Sequence, residues 1–127
     1  MARRYLDASE VQSALQRGKS VECFLGACSH NGVAGIRWFS ICAQSSGVAV
    51  SVFESADAGS EEFIDVYEFG PVDPTLELDE ATEQMQFPDL AACLNVLAKR
   101  FPESTSRLVN QGLIQDEYAD YVARGRK

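Results

Sequence analysis

The chain has 127 residues, 46% of them hydrophobic and 24% charged, which suits one self-sufficient core and is too apolar for a disordered acidic tail. Its formal net charge of -8 at pH 7 speaks against a direct nucleic-acid or anionic-membrane binder, because both demand lysines and arginines against phosphate. No stretch reaches the ~20 consecutive apolar residues of a membrane-spanning helix, and residues 1–127 read as a single globular domain.

The opening Met1-Ala2-Arg3-Arg4-Tyr5-Leu6-Asp7 is not followed by the apolar run of a secretory leader, which points to the cytoplasm. The four cysteines, Cys23, Cys28, Cys42 and Cys93, form no C-x-x-C pair and each sits in an apolar run. They read as reduced core residues of a reducing compartment.

The spacing predicts a helix over 9–17. Ser9 and Gln12 stand at capping-box separation, Val11 and Leu15 share a face, and Gly18 supplies a left-handed stop. Residues 20–55 read as a three-stranded antiparallel meander. Its first turn is Asn31-Gly32, the favoured pair for a two-residue type I′ hairpin, with His30 opposite Val33. Carried back along the strands, that register sets Cys28 against Gly35, Leu25 against Trp38 and Cys23 against Ser40. One face then holds Val21, Cys23, Leu25, Ile36, Trp38 and Cys42. For the second turn, a three-residue loop with Gly47 as a bulge puts Val50 opposite Cys42, Val52 opposite Ser40 and Phe53 opposite Phe39. It keeps Val48, Val50 and Val52 on the Trp38 face, where a two-residue loop would turn them away.

A fourth strand is expected over 62–69, with apolar and acidic groups on both faces, ended by Gly70-Pro71. Residues 71–87 read as a long acidic loop, of a length that is usually functional or disordered. A second helix follows over 88–100, with Leu90, Cys93, Leu94, Leu97 and Phe101 as its stripe and Lys99 and Arg100 favourably placed at its C-terminus. A short strand at 107–109 and a third helix over 115–124, with Ile114, Tyr118, Tyr121 and Val122 on one face, complete the chain. The fold class is therefore α+β. An antiparallel four-stranded meander sheet, five-stranded if 107–109 joins it, carries an N-terminal helix and two C-terminal helices packed on it.

Catalytic chemistry finds little support. His30 is the only histidine and flanks a hairpin tip, so it reads as a turn residue rather than a general base. No zinc set, EF-hand loop, phosphate-binding loop or dinucleotide fingerprint occurs. The expectation is a non-enzyme without cofactor or metal.

Charge distribution says more. Between Trp38 and Ala98 there is no lysine or arginine, whereas carboxylates recur from Glu54 to Asp89. Like charges set so close repel, and a cationic partner would relieve them. Interfaces bury a few aromatic or aliphatic anchors inside a polar rim. The candidate partner-binding residues are Glu61, Glu62, Asp65, Tyr67, Glu68, Asp73, Glu77, Asp79 and Glu80. Phe69 and Phe87 are further anchor candidates, although each taken singly reads as core.

Two stretches carry a resemblance. Phe63-Ile64-Asp65-Val66-Tyr67-Glu68-Phe69 followed by Gly70-Pro71, and the tail from Val109-Asn110-Gln111-Gly112-Leu113 through Tyr121, resemble small bacterial immunity proteins of contact-dependent growth inhibition and other polymorphic toxin systems. The likeness covers mainly the C-terminal half and rests on general pattern, so no binding residue is carried over. It implies a cytoplasmic partner-binding protein that blocks a cognate toxin domain, often a nuclease. The function expected is a non-catalytic immunity protein whose acidic surface covers the basic cleft of that toxin. The partner is a protein rather than nucleic acid or membrane. The alternative is an acidic adaptor or regulatory domain without inhibitory role. A third reading is a small-molecule-binding or hydrolytic domain built on pocket carboxylates.

Overall fold

A computed structural model describes residues 4–78 and 80–126. Its elements in chain order are α1 (Ala8–Gln16), β1 (Val21–His30), β2 (Val33–Gln44), β3 (Gly47–Ala56), β4 (Glu83–Phe87), α2 (Leu90–Arg100), β5 (Val109–Asn110) and α3 (Ile114–Ala123), with 3₁₀ turns at Val66–Glu68 and Ser104–Ser106. The strands form one five-stranded antiparallel sheet in the order β4-β3-β2-β1-β5. The fold is α+β, with the N-terminal helix and two C-terminal helices packed on the sheet. Among the described residues no helix is long and apolar enough to cross a membrane.

Both faces of the sheet are covered, and that decides the registers. On the first face α1 and α2 bring Val11, Leu15, Leu90, Cys93 and Leu97 over Val21, Cys23, Phe39, Ile41, Val48, Val50 and Val52. On the second, α3 lays Ile114, Tyr118 and Tyr121 against Phe24, Ile36 and Trp38, with Val66 and Phe69 beside them. The rest of that second face carries Ser40, Cys42, Ser51, Gln84 and Gln86, none of them buried.

The first hairpin has the expected turn. Asn31 and Gly32 both take positive φ (49° and 81°) and His30 pairs with Val33. Further back the register slips at Leu25, where Gly26 has φ 104° and a bulge sets Phe24 opposite Trp38 and Cys23 opposite Phe39, not Ser40. The second turn is the two-residue loop Ser45-Ser46, so Ile41 faces Val50, Phe39 faces Val52 and Trp38 faces Phe53. The valines therefore sit away from Trp38, contrary to the sequence reading, yet Val50 is fully buried because the helices cover that side too. A sheet buried on one face alone would have turned these valines to solvent; burial of both faces lets the two-residue loop stand.

The strand expected at 62–69 does not form. A single bridge joins Ser60 and Phe63, and Val66–Glu68 is a 3₁₀ turn. Val66 and Phe69, three residues apart, point inward together, which is the 3₁₀ period and not the strand period of two. Gln115 of α3 satisfies one backbone amide that a neighbouring strand would have taken and holds the cap residue of the turn as well. Its Oε1 accepts from the Val66 amide at 2.8 Å and its Nε2 donates to Asp65 Oδ1 at 2.9 Å. The fourth strand lies instead within the supposed long loop. In β4, Met85 and Phe87 face α2 while Gln84 and Gln86 face out.

The first helix is capped by Asp7, not Ser9. Asp7 Oδ1 accepts from the Glu10 amide at 2.8 Å and Glu10 Oε1 accepts from the Asp7 amide at 3.0 Å, a capping box two residues earlier that also places a carboxylate at the positive end of the dipole. Likewise Asp89, not Pro88, opens α2. All four cysteines are unpaired, but only Cys23 and Cys93 are core residues; Cys28 and Cys42 are half-buried.

Candidate functional site

The acidic middle of the chain is held to the sheet at its two ends. The Ala56 amide donates to Gly70 O at 2.7 Å and the Val72 amide to Glu54 O at 3.0 Å, so residues 70–72 extend the β3 edge. Beyond them the chain swings out, then returns where the Thr82 amide meets Val52 O at 2.8 Å and Thr82 Oγ1 accepts from the Glu54 amide at 3.2 Å. The excursion closes back on a single residue, Glu54. Leu78, at 58% exposure, lies within it.

Leu78 and the 3₁₀ turn enclose a cleft of about 130 Å³ over the second face of the sheet, lined by Trp38, Phe53, Ser55, Val66, Tyr67, Phe69 and Leu78. Trp38 stacks on Phe53 with centroids 4.4 Å apart and meets Tyr67 edge-on at 5.7 Å. The Trp38 Nε1–H reaches Ser55 Oγ at 3.4 Å. Tyr67 is fixed from behind. Its hydroxyl donates to Oε2 of the buried Glu22 at 2.5 Å, and Oε1 of the same carboxylate accepts from the Gly112 amide at 2.9 Å. Burial pushes the Glu22 carboxyl up, against the pull of these hydrogen bonds. Burial and the Glu22 carboxylate together push the Tyr67 phenol up, so it stays protonated at neutral pH.

The candidate acidic residues divide by position. Glu61, Glu62 and Glu68 are exposed around the 3₁₀ turn, and Glu77 and Glu80 are exposed beside Leu78 across the cleft. Asp65 is half-buried and structural, accepting from the Tyr67 amide at 3.2 Å as the cap of the turn. Asp73 accepts from the Thr75 amide at 2.9 Å and from its hydroxyl at 2.7 Å, which holds its carboxyl below the usual range. Asp79 lies outside the described residues. Of the anchor candidates Tyr67, Phe69 and Phe87, Tyr67 is the one open to solvent, at 43% exposure. Phe69 is core, and Phe87 packs on the opposite face of the sheet, away from the site.

The chain's own arginines neutralise the margins of the acidic stretch and leave its middle. Arg37 pairs with Glu54 at 2.5 Å, Arg100 with Glu83 at 2.6 Å and Arg126 with Asp57 at 2.5 Å. Among the described residues no ion pair engages Glu61, Glu62, Asp65, Glu68, Asp73, Glu77 or Glu80. Tyr67 marks the boundary, because on its other side Arg17 and Lys19 line a shallow polar depression with Asn110, Gln111 and Gly112. Comparison with protein-family profiles, curated proteins and solved structures returns no match to this chain.

Sequence reading missed the floor and the outer lip of the cleft. Trp38, Phe53 and Glu22 come from three different strands, and only the tertiary pairing brings them together. Leu78 did leave a signal, as a lone large apolar residue among Glu77, Asp79 and Glu80. Phe63 belongs with it. It is 43% exposed, and its ring meets Phe69 edge-on at 5.3 Å. The arrangement comprises an apolar slot, a tethered phenol and a rim of exposed carboxylates.

Proposed function

We propose that this chain is a non-catalytic binding protein that captures a cognate basic protein domain and neutralises it. In this reading it is a cytoplasmic immunity protein whose acidic face covers the cationic substrate cleft of a toxin nuclease. One observation carries the reading. The arginines pair with Glu54, Asp57 and Glu83, while Glu61, Glu62, Glu68, Glu77 and Glu80 are exposed and have no ion-pair partner among the described residues. Such a face speeds encounter with a positive partner, up to ~10⁸–10⁹ M⁻¹s⁻¹ at low salt, which suits an inhibitor that must act before its target does. A partner's lysines and arginines would also relieve the repulsion stored among these carboxylates.

The test is charge reversal at Glu61, Glu62, Glu68 and Glu80 to lysine, leaving Asp65 intact because it caps the turn. Stopped-flow association with the basic domain that co-purifies with this chain should slow by about tenfold or more at low salt and lose most of its salt dependence. Protection of cells expressing that domain should fail in parallel. An unchanged association rate and salt slope removes this face from the interface. Tight binding that leaves the partner's activity intact would make the chain an adaptor instead.

A further inference from the structure

Of the four large apolar side chains exposed among the described residues, Phe63, Tyr67 and Leu78 lie in the acidic stretch, and Tyr67 and Leu78 line the same cleft. Scattered apolar residues on a surface need no explanation, but a run of them inside a charged rim marks a contact site. The cleft's volume of about 130 Å³ falls well below the ~300–1,000 Å³ of cofactor and small-molecule pockets. It has room for one side chain. Its floor is rigid, because Trp38 is stacked on Phe53 and Tyr67 is tied to Glu22. A preformed slot loses little side-chain freedom when it is filled, as an interface hot spot requires.

Resting on the acidic-face reading above, we infer that this cleft receives a single leucine-like or aromatic side chain from a partner segment that carries lysine or arginine on both sides of it. The apolar anchor follows from the lining by Trp38, Phe53, Val66, Tyr67, Phe69 and Leu78. The flanking cations follow from position: Glu68 ends the 3₁₀ turn and follows the lining residue Tyr67, while Glu77 and Glu80 are exposed next to and two residues beyond the lining residue Leu78 in the chain. The partner segment is therefore a basic loop or helix edge with one protruding hydrophobic residue. A uniformly cationic groove would fill the rim and leave the slot empty.

Trp38 is the only tryptophan, so its fluorescence reports occupancy of the cleft directly. The full chain is titrated with a short synthetic peptide holding one central leucine between lysine and arginine residues. A second peptide has serine at the centre, and a third keeps the leucine but replaces every basic residue with glutamine. The leucine peptide should shift Trp38 emission saturably. The serine replacement should weaken binding by about tenfold or more, the equivalent of one buried aliphatic side chain, and the glutamine replacement should weaken it about as much at low salt through the lost charge attraction. Leu78→Ser, at an exposed position that does not threaten folding, should weaken the leucine peptide and leave the serine peptide unchanged. If the serine peptide binds as tightly as the leucine peptide and with the same salt dependence, the slot is not used, while electrostatic capture survives. Equal binding by the glutamine peptide overturns the flanking cations and counts against the acidic-face reading as well. No binding by any of the three at low salt overturns both.

Discussion

Glu117 offers the sharpest test of how the site's scaffold is held. Its side chain is 1% exposed, yet it is fully partnered: Arg4 Nη1 at 2.7 Å, Tyr5 Oη at 2.8 Å and Arg107 Nη2 at 3.1 Å all donate to it. These contacts fasten the N-terminal segment and the residues before β5 to α3. Two residues earlier on the same helix, Gln115 holds the 3₁₀ turn of the cleft. Glu117→Gln keeps the volume and removes the charge. Breaking a buried ion pair costs about 3–5 kcal/mol when the remaining charge is stranded. Here the arginines are 33% and 39% exposed, so they rehydrate, and Arg4 keeps Asp120 at 2.6 Å. The lower end applies, about 3 kcal/mol. With ~2.1 cal/mol/K of unfolding entropy per residue near the midpoint, that loss lowers the Tm of a chain this size by about 10 °C. Urea unfolding followed by circular dichroism should show the same loss with an unchanged m-value. Asp120→Asn serves as the control, since its side chain is 49% exposed and such a pair contributes about 0–1 kcal/mol. If Glu117→Gln costs no more than Asp120→Asn, the reasoning from burial fails.

Other outcomes follow from the same structure. The folded pKa of Glu22 lies above its unfolded value, so the native state binds the extra proton between the two and stability falls as pH rises through that interval. Glu22→Gln should remove this contribution, and its stability relative to wild type should grow from about pH 4 upward. A difference independent of pH would contradict it. Burial pushes the thiol of Cys23 up to about 12 and that of Cys93 up to about 11. A disulfide reagent at about pH 8 should therefore reach only Cys28 and Cys42 in the folded protein and all four thiols after denaturation. Fast reaction of Cys93 in the folded state would refute its burial. Gly59→Ala would place a methyl group 2.5 Å from both Phe69 Cζ and Tyr118 Cε2, so it should destabilise by about 3 kcal/mol in thermal melts. Alanine tolerated there without loss would mean the loop relaxes freely.

What the sequence revealed depended on whether the cause was local. Asn31-Gly32 announces its turn because both residues must take positive φ. The second hairpin was misread because its register is set by what covers each face, and the covering helices are distant in sequence. The stretch 62–69 alternates like a strand, yet Gln115 binds its backbone and lets it coil. The plainer alternation of Glu83-Gln84-Met85-Gln86-Phe87 went unread inside an acidic run. At the site, the unpaired carboxylates could be anticipated from the absence of lysine and arginine around them. The slot they border could not, since Trp38, Phe53 and Leu78 meet only through folding.

The excursion between Val72 and Thr82 begins and ends at one anchor point on β3, so its length and composition are largely decoupled from the rest of the architecture. Doubling the length of a surface loop costs only about 0.6 kcal/mol in closure entropy. Residues there are consequently open to replacement, insertion or deletion while the sheet and its two hydrophobic layers stay as they are. If the proposed function holds, a lineage carrying this scaffold has a ready place to change its choice of partner without having to solve the folding problem again.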